Sequence, residues 1–392
     1  MDLRIIDNNN IKGIGMIIFV NFLGVRAGGQ IARANAFYEN IKHKKNITVV
    51  IIKQYKSLEK IKSNKVCEVI DINFYPLNSN FVINFIFECC RIKKYLNFYN
   101  PNIYLSFSNI LPFFLPKKIK TIIAISNLAP FSHASLKNAN FLMKFRMFIK
   151  KIMILSSSSR ADSVLALSKL CMNILEQHGV EKNKIFVASN GVDSFWSKVD
   201  KNKIVEVDKK IEFILYVSHF HFYKNHFRLL KAYALFTKKY KNDIKLLLIG
   251  NAPDEIYFNK VKALIKELNI NEKVLIKSVN DNNRLRRYYQ DATFFIFPSL
   301  IENSPNILIE AMMSKCDILA SNCEPMPEFG KNAIEYFDPF DHHDIFKKIE
   351  EKFLNGSQTN KKNYLAYEIA KKYNWQDFTN CIIEKAYELN KI

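Results

Sequence analysis

Residues 297–312 read Phe297-Pro298-Ser299-Leu300-Ile301-Glu302-Asn303-Ser304-Pro305-Asn306-Ile307-Leu308-Ile309-Glu310-Ala311-Met312. The apolar run from Thr293 to Phe297 is of buried-strand type, and it ends at Pro298, which cannot donate to a strand ladder. A polar turn carrying Glu302 follows. Pro305, with fixed φ and no N–H, suits the first turn of a helix over Asn306 to Met313. Free N–H groups at such a helix start can meet an anion or sugar hydroxyls. Glu302 and Glu310, eight residues apart across this turn, can face one cleft, each able to accept paired hydrogen bonds from vicinal hydroxyls. The plainer alternative makes Glu302 a helix cap and Glu310 a solvated surface charge.

Outward from this turn the chain alternates strand and helix. On its N-terminal side lie strand Phe213 to Ser218, helix Asn225 to Tyr240, strand Ile244 to Ile249 ending at Gly250, helix Tyr257 to Leu268, strand Val274 to Ile276 and a helix around Asn283 to Tyr289. Strand Asp317 to Ala320 follows it. The first half opens with strand Met16 to Phe22, a loop with Gly24, Gly28 and Gly29, and a helix from Gln30 to about Ile41, the order of a phosphate cradle. Strands Ile47 to Ile52, Val66 to Ile72, Ile103 to Phe107, Thr121 to Ile125 and Ser163 to Ala166 continue the pattern, with helices over 137–155 and Ser168 to His178. Such alternation predicts α/β architecture with parallel sheets covered on both faces. The division expected is a leader over 1–15, domains over 16–200 and 201–374, and a C-terminal helix over 375–392. The lysine-rich stretch Ser197 to Lys210 is the expected linker, and Met16 offers an alternative start.

The chain has 392 residues, 48% hydrophobic and 24% charged, enough to bury two cores. With 58 Lys+Arg against 37 Asp+Glu, its formal charge of +21 attracts polyanions: nucleic acid, anionic lipid or nucleotide phosphates. AT-rich coding accounts equally for part of that lysine content. The seven cysteines form no Cys-x-x-Cys pair and suit a reducing cytosol. No apolar run reaches the length of a bilayer span. Neither a helix-turn-helix, a zinc knuckle nor an RNA-recognition aromatic signature occurs, so nucleic acid is not an expected partner.

The 297–312 stretch resembles the retaining GT-B glycosyltransferases known as glycosyl transferases group 1, or family four, whose motif is Glu-x7-Glu at this strand-to-helix turn. The resemblance continues through Ser321-Asn322, Pro325-Met326-Pro327-Glu328 and Tyr336-Phe337-Asp338-Pro339. It implies two Rossmann-like domains facing across a cleft, the C-terminal helix returning to the first domain, and a nucleotide-sugar donor held mainly by the second. By resemblance Glu302 lies by the donor sugar and Glu310 binds the ribose, while Asn303, Ser304 and Asn306 replace the commoner glycine-rich turn. Leu215-Tyr216-Val217-Ser218-His219-Phe220-His221-Phe222-Tyr223-Lys224-Asn225 is similar to the family's diphosphate-gripping stretch. Lys224 matches it, and His219 stands where an Arg is common. The base is expected near Lys277 to Asn280.

In the first domain, Gly28 and Gly29 match the family's glycine loop beside the donor phosphates. Ser126 and Asn127 occupy the place of a His-Asp or His-Asn pair on the acceptor side, with His133 nearby. No Asp-x-Asp metal motif occurs, so charge on the departing diphosphate falls to the protein's own cations, with no metal and no cofactor. Asp341-His342-His343-Asp344 reads as a capped, solvated helix start. The helix from Asn138 to Leu155 mixes Lys144, Arg146, Lys150 and Lys151 with Phe141, Phe145, Met147 and Phe148, which fits either a core-packing helix or one docking on an anionic membrane surface. The resemblance implies a cytoplasmic glycosyltransferase, peripheral at the inner face of the membrane, acting on a saccharide or lipid-linked glycan in bacterial surface-polysaccharide and lipopolysaccharide assembly. The alternatives are a sugar phosphorylase or epimerase of the same architecture, a non-catalytic GT-B protein, or a nucleic-acid binder.

Overall fold

The computed structural model describes residues 15–25, 28–54, 58–72, 81–132, 141–198, 212–241, 243–355 and 360–391. They fall into two compact units: residues up to Phe131, Phe141–Gly191 and Trp375 onward form the first, and Val192–Asn374 the second.

The first unit runs β1 (Met16–Asn21), α1 (Gly29–Ile41), β2 (Ile47–Gln54), β3 (Cys67–Ile72), α2 (Phe81–Tyr99), β4 (Ile103–Ser106), β5 (Lys120–Ile125), α3 (Phe141–Arg160), β6 (Ser163–Ala166), α4 (Lys169–Gln177) and β7 (Ile185–Val187). Its seven strands lie in the order β3-β2-β1-β4-β5-β6-β7, every pair parallel. Val49, Val50, Ile51 and Ile52 are all fully buried. A continuous apolar run of this kind belongs to a strand covered on both faces, where alternation gains nothing.

The second unit runs β8 (Phe213–Val217), α5 (His226–Lys239), β9 (Lys245–Ile249), α6 (Glu255–Glu267), β10 (Val274–Lys277), α7 (Asn282–Asp291), β11 (Phe294–Phe297), α8 (Asn306–Met313), β12 (Ile318–Ser321), α9 (Met326–Gly330), β13 (Glu335–Phe337), α10 (His342–Asn355) and α11 (Asn360–Ala370). Its six strands lie β10-β9-β8-β11-β12-β13, again all parallel. Helix α5 buries Leu229, Leu230, Tyr233 and Phe236, an i, i+1, i+4, i+7 stripe, against this sheet. Each such side chain contributes about 1.5–3 kcal/mol of hydrophobic stabilisation. Val192 and Trp196, which precede the expected boundary at 200, belong to this core. The last helix, α12 (Trp375–Asn390), packs Phe378, Ile382, Ile383, Ala386 and Leu389 into the core of the first unit.

Both sheets follow the order 3-2-1-4-5-6 in their own strand sequence, the Rossmann arrangement. The order reverses between β1 and β4, and between β8 and β11. At such switch points the loops leaving two neighbouring strands diverge, and a crevice opens at the strands' carboxyl ends. The loops at the second switch point are 218–225 and 298–305, the two stretches singled out from the sequence.

Helix α3 decides between the two readings of its apolar residues. Phe141, Phe145, Phe148 and Ile152 share one face at i, i+4, i+7, i+11, and they are 85%, 52%, 58% and 47% exposed. The core-packing reading therefore fails for this stripe; Ile154, Ser157 and Ser158 are the residues of α3 that face inward.

Candidate functional site

At the second switch point the Lys224 ammonium forms an ion pair with Oε1 of Glu302. Both side chains are mostly shielded, with 11% and 15% exposure. The local sequence builds this pair from two directions. After β8 the chain makes one short helical turn, Phe222–Lys224, closed by Asn225 in the left-handed region at φ 62°. The hydroxyl of Tyr216, on β8, donates to the Lys224 carbonyl at 2.6 Å, and the Asn225 amide donates to the Pro339 carbonyl at 2.8 Å. After β11, the Ser299 hydroxyl donates to Glu302 Oε1 at 2.8 Å. The two loops are tied directly, since Leu300 N–H donates to the Tyr223 carbonyl at 2.9 Å. The Lys224 ammonium also sits 5.3 Å and 5.9 Å from the ring centres of Tyr223 and Phe297. A cation so fixed needs no reorganisation when charge develops next to it. An ammonium has three donors, and the pair with Glu302 engages one.

Ser218 is buried and bonds with His226 at 3.3 Å between Oγ and Nε2. His226 is itself buried and stacked on Phe220, with ring centres 4.6 Å apart. Burial, with help from the Lys224 charge, pulls its imidazole down to about 3, so the ring is neutral at any ordinary pH. His219 is solvent-exposed on one side, and burial of the remainder together with Lys224 lowers its imidazole below the ordinary range. A neutral imidazole offers one donor where an Arg would offer a charged fork. Gly250, at the end of β9, permits this packing: a Cβ there would lie 1.8 Å from the Ser218 carbonyl oxygen. Neither His226 nor the requirement at Gly250 was apparent from the sequence; the signal for the second was a glycine at a strand's carboxyl end beside a functional loop.

Helix α8 begins at Asn306 with Pro305 as its N-cap residue, so the turn Asn303-Ser304 sits at the helix's open end. Asn303 is buried and Ser304 and Asn306 are half-buried. Glu310, one turn further, is half-buried rather than solvated. Burial pushes its carboxyl up to about 8, moderated by the nearby Tyr289 hydroxyl. A carboxyl held near neutrality, with no cation beside it among the described residues, is poised for hydroxyl partners.

In the first unit, Gly28 takes φ 54° and ψ −131°, a conformation open to glycine, and its carbonyl accepts from the N–H groups of Ile31 and Ala32 at the start of α1. Gly29 is the first residue of that helix. Ser126 and Asn127, beyond β5, wrap a residue the sequence did not mark: Asn109 Oδ1 accepts from Ser126 N–H at 2.6 Å, Ser126 Oγ at 3.0 Å and Asn127 N–H at 3.1 Å. Asn109 tolerates φ 67° as few other residues do. The side chain of Asn127 turns back to accept from Ala129 N–H at 2.9 Å. His133 lies outside the described residues.

Asp341 and Asp344 cap the start of α10, accepting from His343 N–H and Asp338 N–H at 2.8 Å and 2.7 Å, which is the capped run read from the sequence. Among the described residues no group of three or more His, Cys, Asp or Glu is placed to hold a metal ion. None of their helices is long and apolar enough to cross a membrane.

Residues 197–372 match the family model described as glycosyl transferases group 1. The chain is 31% identical over 179 residues to an N-acetylgalactosamine-N,N'-diacetylbacillosaminyl-diphospho-undecaprenol 4-alpha-N-acetylgalactosaminyltransferase of Campylobacter jejuni, the match covering 45% of this chain and 46% of that protein. The match thus spans about half the length of that relative. Among solved structures, sucrose-phosphate synthase from Thermosynechococcus elongatus superposes with a TM-score of 0.79 at 15% identity, covering 95% of this chain and 99% of that one. HepE from Anabaena, solved with UDP and glucose, superposes at 0.74 and 12% identity over 95% and 100% of the two chains. The stretch matched to the family model contains Ser218, His219, Lys224, Glu302 and Glu310, and the chain shares the GT-B fold of these solved structures.

Proposed function

We propose that the chain is a retaining, family-four glycosyltransferase that moves a sugar from a nucleotide diphosphate donor to a saccharide or lipid-linked glycan acceptor, without metal or cofactor, in bacterial surface-polysaccharide assembly. The observation that carries this reading is the Lys224–Glu302 pair at the switch point beside the open end of α8. Transfer breaks the bond between the anomeric carbon and the diphosphate oxygen, so negative charge grows on that diphosphate as it leaves. Lys224, with donors beyond the one held by Glu302, takes that charge; Asn303, Ser304 and the first N–H groups of α8 hold the sugar and phosphate oxygens. Glu302 lies by the donor sugar, and Glu310 accepts from the ribose hydroxyls. His219 and Ser218 line the diphosphate loop as neutral donors. In the first unit, Gly28 and Gly29 bring backbone N–H groups to the donor phosphates, and the Ser126–Asn127 turn, with His133, belongs to the acceptor side. The alpha linkage in the name of the Campylobacter relative accords with retention, and its diphospho-undecaprenol substrate with a lipid-linked acceptor.

A thermal-shift screen of UDP, GDP, ADP and dTDP sugars tests the donor, since a ligand that binds the folded state raises the midpoint with its affinity. One nucleotide series should raise it, and silence across the panel contradicts the proposal. The exposed stripe of α3 with Lys144 and Arg146 beside it supports peripheral docking at the inner face of the membrane. Flotation with vesicles containing anionic lipid should be lost on Phe145→Ser with Phe148→Ser; equal flotation of that variant refutes the docking.

A further inference from the structure

The stretch from Cys89 to Ala161 contains twelve Lys and Arg and not one Asp or Glu, and so carries more than half of the formal +21. AT-rich coding enriches lysine, but it does not empty a stretch of acids that number 37 over the whole chain. Within it, between β4 and β5, runs Leu111-Pro112-Phe113-Phe114-Leu115-Pro116-Lys117-Lys118. Phe113 and Phe114 are 57% and 76% exposed. Lys117 and Lys118 are exposed as well, with no ion pair among the described residues. A lone apolar side chain at a surface needs no explanation, but an adjacent phenyl pair backed by two unpaired cations does.

The loop is built to leave water at small cost. Arg160, at the end of α3, donates to the carbonyls of Leu111 at 3.2 Å, Pro112 at 3.1 Å and Phe113 at 3.4 Å, and its guanidinium lies 5.2 Å from the Phe113 ring centre. The Pro116 carbonyl accepts from Ile119 N–H at 3.0 Å, and Leu111 N–H donates to Ser157 Oγ at 3.0 Å. Pro112 and Pro116 have no N–H and stiffen the loop on both sides of the phenyl pair. Unpaired backbone groups are what keep irregular loops out of hydrocarbon; here four carbonyls are already engaged. Nucleic acid or an acidic protein would use the lysines and give the phenyl pair no role. A lipid boundary takes both, rings below the headgroups and ammonium groups among the phosphates. Arg160 also places the loop: it lies roughly a quarter-turn round α3 from the exposed stripe of Phe141, Phe145, Phe148 and Ile152. The loop therefore flanks that stripe, away from the buried face of Ile154, Ser157 and Ser158.

We infer that the 112–118 loop is a second contact of the first unit with a bilayer, Phe113 and Phe114 entering the acyl boundary while Lys117 and Lys118 meet anionic headgroups. The inference rests on the docking of α3 proposed above and deepens it, naming a separate insertion point and the lipid charge it requires. Its physical consequence is orientation. An amphipathic helix lying in the interface leaves the body above it able to roll about the helix axis, whereas a second contact off that axis stops the roll. The two contacts also reinforce each other, since once one is made the other forms at high effective concentration.

The test uses the full chain and vesicles of phosphatidylcholine with or without phosphatidylglycerol. Phe114→Trp puts a reporter in the loop; the natural Trp196 and Trp375 are buried and half-buried, and the unaltered chain supplies their background. Emission from Phe114→Trp should be quenched by lipids brominated along the acyl chain. Phe114→Ser should lower the vesicle partition coefficient by about tenfold, with the melting midpoint unchanged because the ring is exposed. Lys117→Glu with Lys118→Glu should lower it by about tenfold or more on the anionic vesicles and leave binding to the neutral ones unaltered. Unquenched emission from Phe114→Trp, or equal partition of Phe114→Ser, overturns the inference. Binding of single-stranded RNA that the double lysine variant loses, without binding of vesicles, overturns it too. The docking of α3 is judged separately. Quenching of Phe114→Trp that survives Phe145→Ser with Phe148→Ser upholds the loop contact and refutes the helix; flotation lost in that helix variant and kept in Phe114→Ser does the reverse.

Discussion

The two units are built on one plan and spend their switch points differently. Each has its first strand between the second and fourth, and each sends loops from the carboxyl ends of that pair. In the second unit those loops meet in a charged contact, Lys224 with Glu302, locked by Tyr216, Ser299 and the Leu300–Tyr223 bond. In the first unit the contacts described at the corresponding strand ends are between neutral groups: Ser106 with Ser108 after β4, and Ser126 folded onto Asn109. The shared sheet is set by apolar runs that many sequences satisfy, so it carries no chemistry of its own. The chemistry resides in the loops, and the matched family stretch lies almost wholly in the unit that holds the Lys224–Glu302 contact.

Breaking the charged contact should produce the largest effect. Glu302→Gln leaves the Lys224 ammonium shielded and unpaired, so beyond abolishing transfer it should destabilise the second unit by about 3 kcal/mol, seen as a lower denaturant midpoint. Transfer is expected to drop by at least about 100-fold, the order seen when one group that stabilises developing charge is removed. Near-normal turnover with normal stability would break the comparison between the units.

Gly250→Ala should come next. Its Cβ would meet the Ser218 carbonyl at 1.8 Å, backbone against backbone, and the loop must shift. A loss of about 1–3 kcal/mol is expected, with weaker nucleotide-sugar binding in the same variant. Loss of stability alone would detach Ser218 from the donor loop.

A smaller and more specific effect is expected from Glu310. Its carboxyl is held at about 8 in the folded chain against an ordinary 4.5. Between those values the folded chain binds a proton that the unfolded chain has released, so stability declines as pH rises from about 4.5 to about 8. Glu310→Gln should flatten that decline in urea midpoints measured across the window. Because a carboxylate accepts from ribose hydroxyls better than a neutral acid does, nucleotide affinity of the unaltered chain should increase over the same range and become pH-independent in the variant. A flat profile in the unaltered chain would return Glu310 to the surface.

Much of this was legible in the sequence because two signals are local. Continuous apolar runs mark doubly covered strands, and they located eleven of the thirteen strands among the described residues; the two missed, Ile185–Val187 and Glu335–Phe337, are three residues long and too short for periodicity to register. Helices α2, α9, α10 and α11 went unassigned, although Asp341 to Asp344 was seen as a cap. In the site, Glu302 and Lys224 stood out by spacing and type. That they pair with each other, 78 residues apart in sequence, is a tertiary fact that no local pattern carries. Asn109 and His226 escaped notice for the same reason: a single polar residue in a helix or loop acquires meaning from what buries it. The apolar face of α3 was the converse, since composition alone left core and interface equally open until exposure decided.

The central claim is that Lys224, Glu302 and Glu310 together hold a nucleotide diphosphate sugar. Its most direct test is calorimetric titration of the nucleoside diphosphate selected by the thermal-shift screen into the unaltered chain and into Lys224→Met. Loss of the ammonium's contacts to the diphosphate should weaken binding by about 10- to 100-fold, equivalent to about 1.5–3 kcal/mol for hydrogen bonds to a charged group. Equal affinity in the two chains would contradict the account.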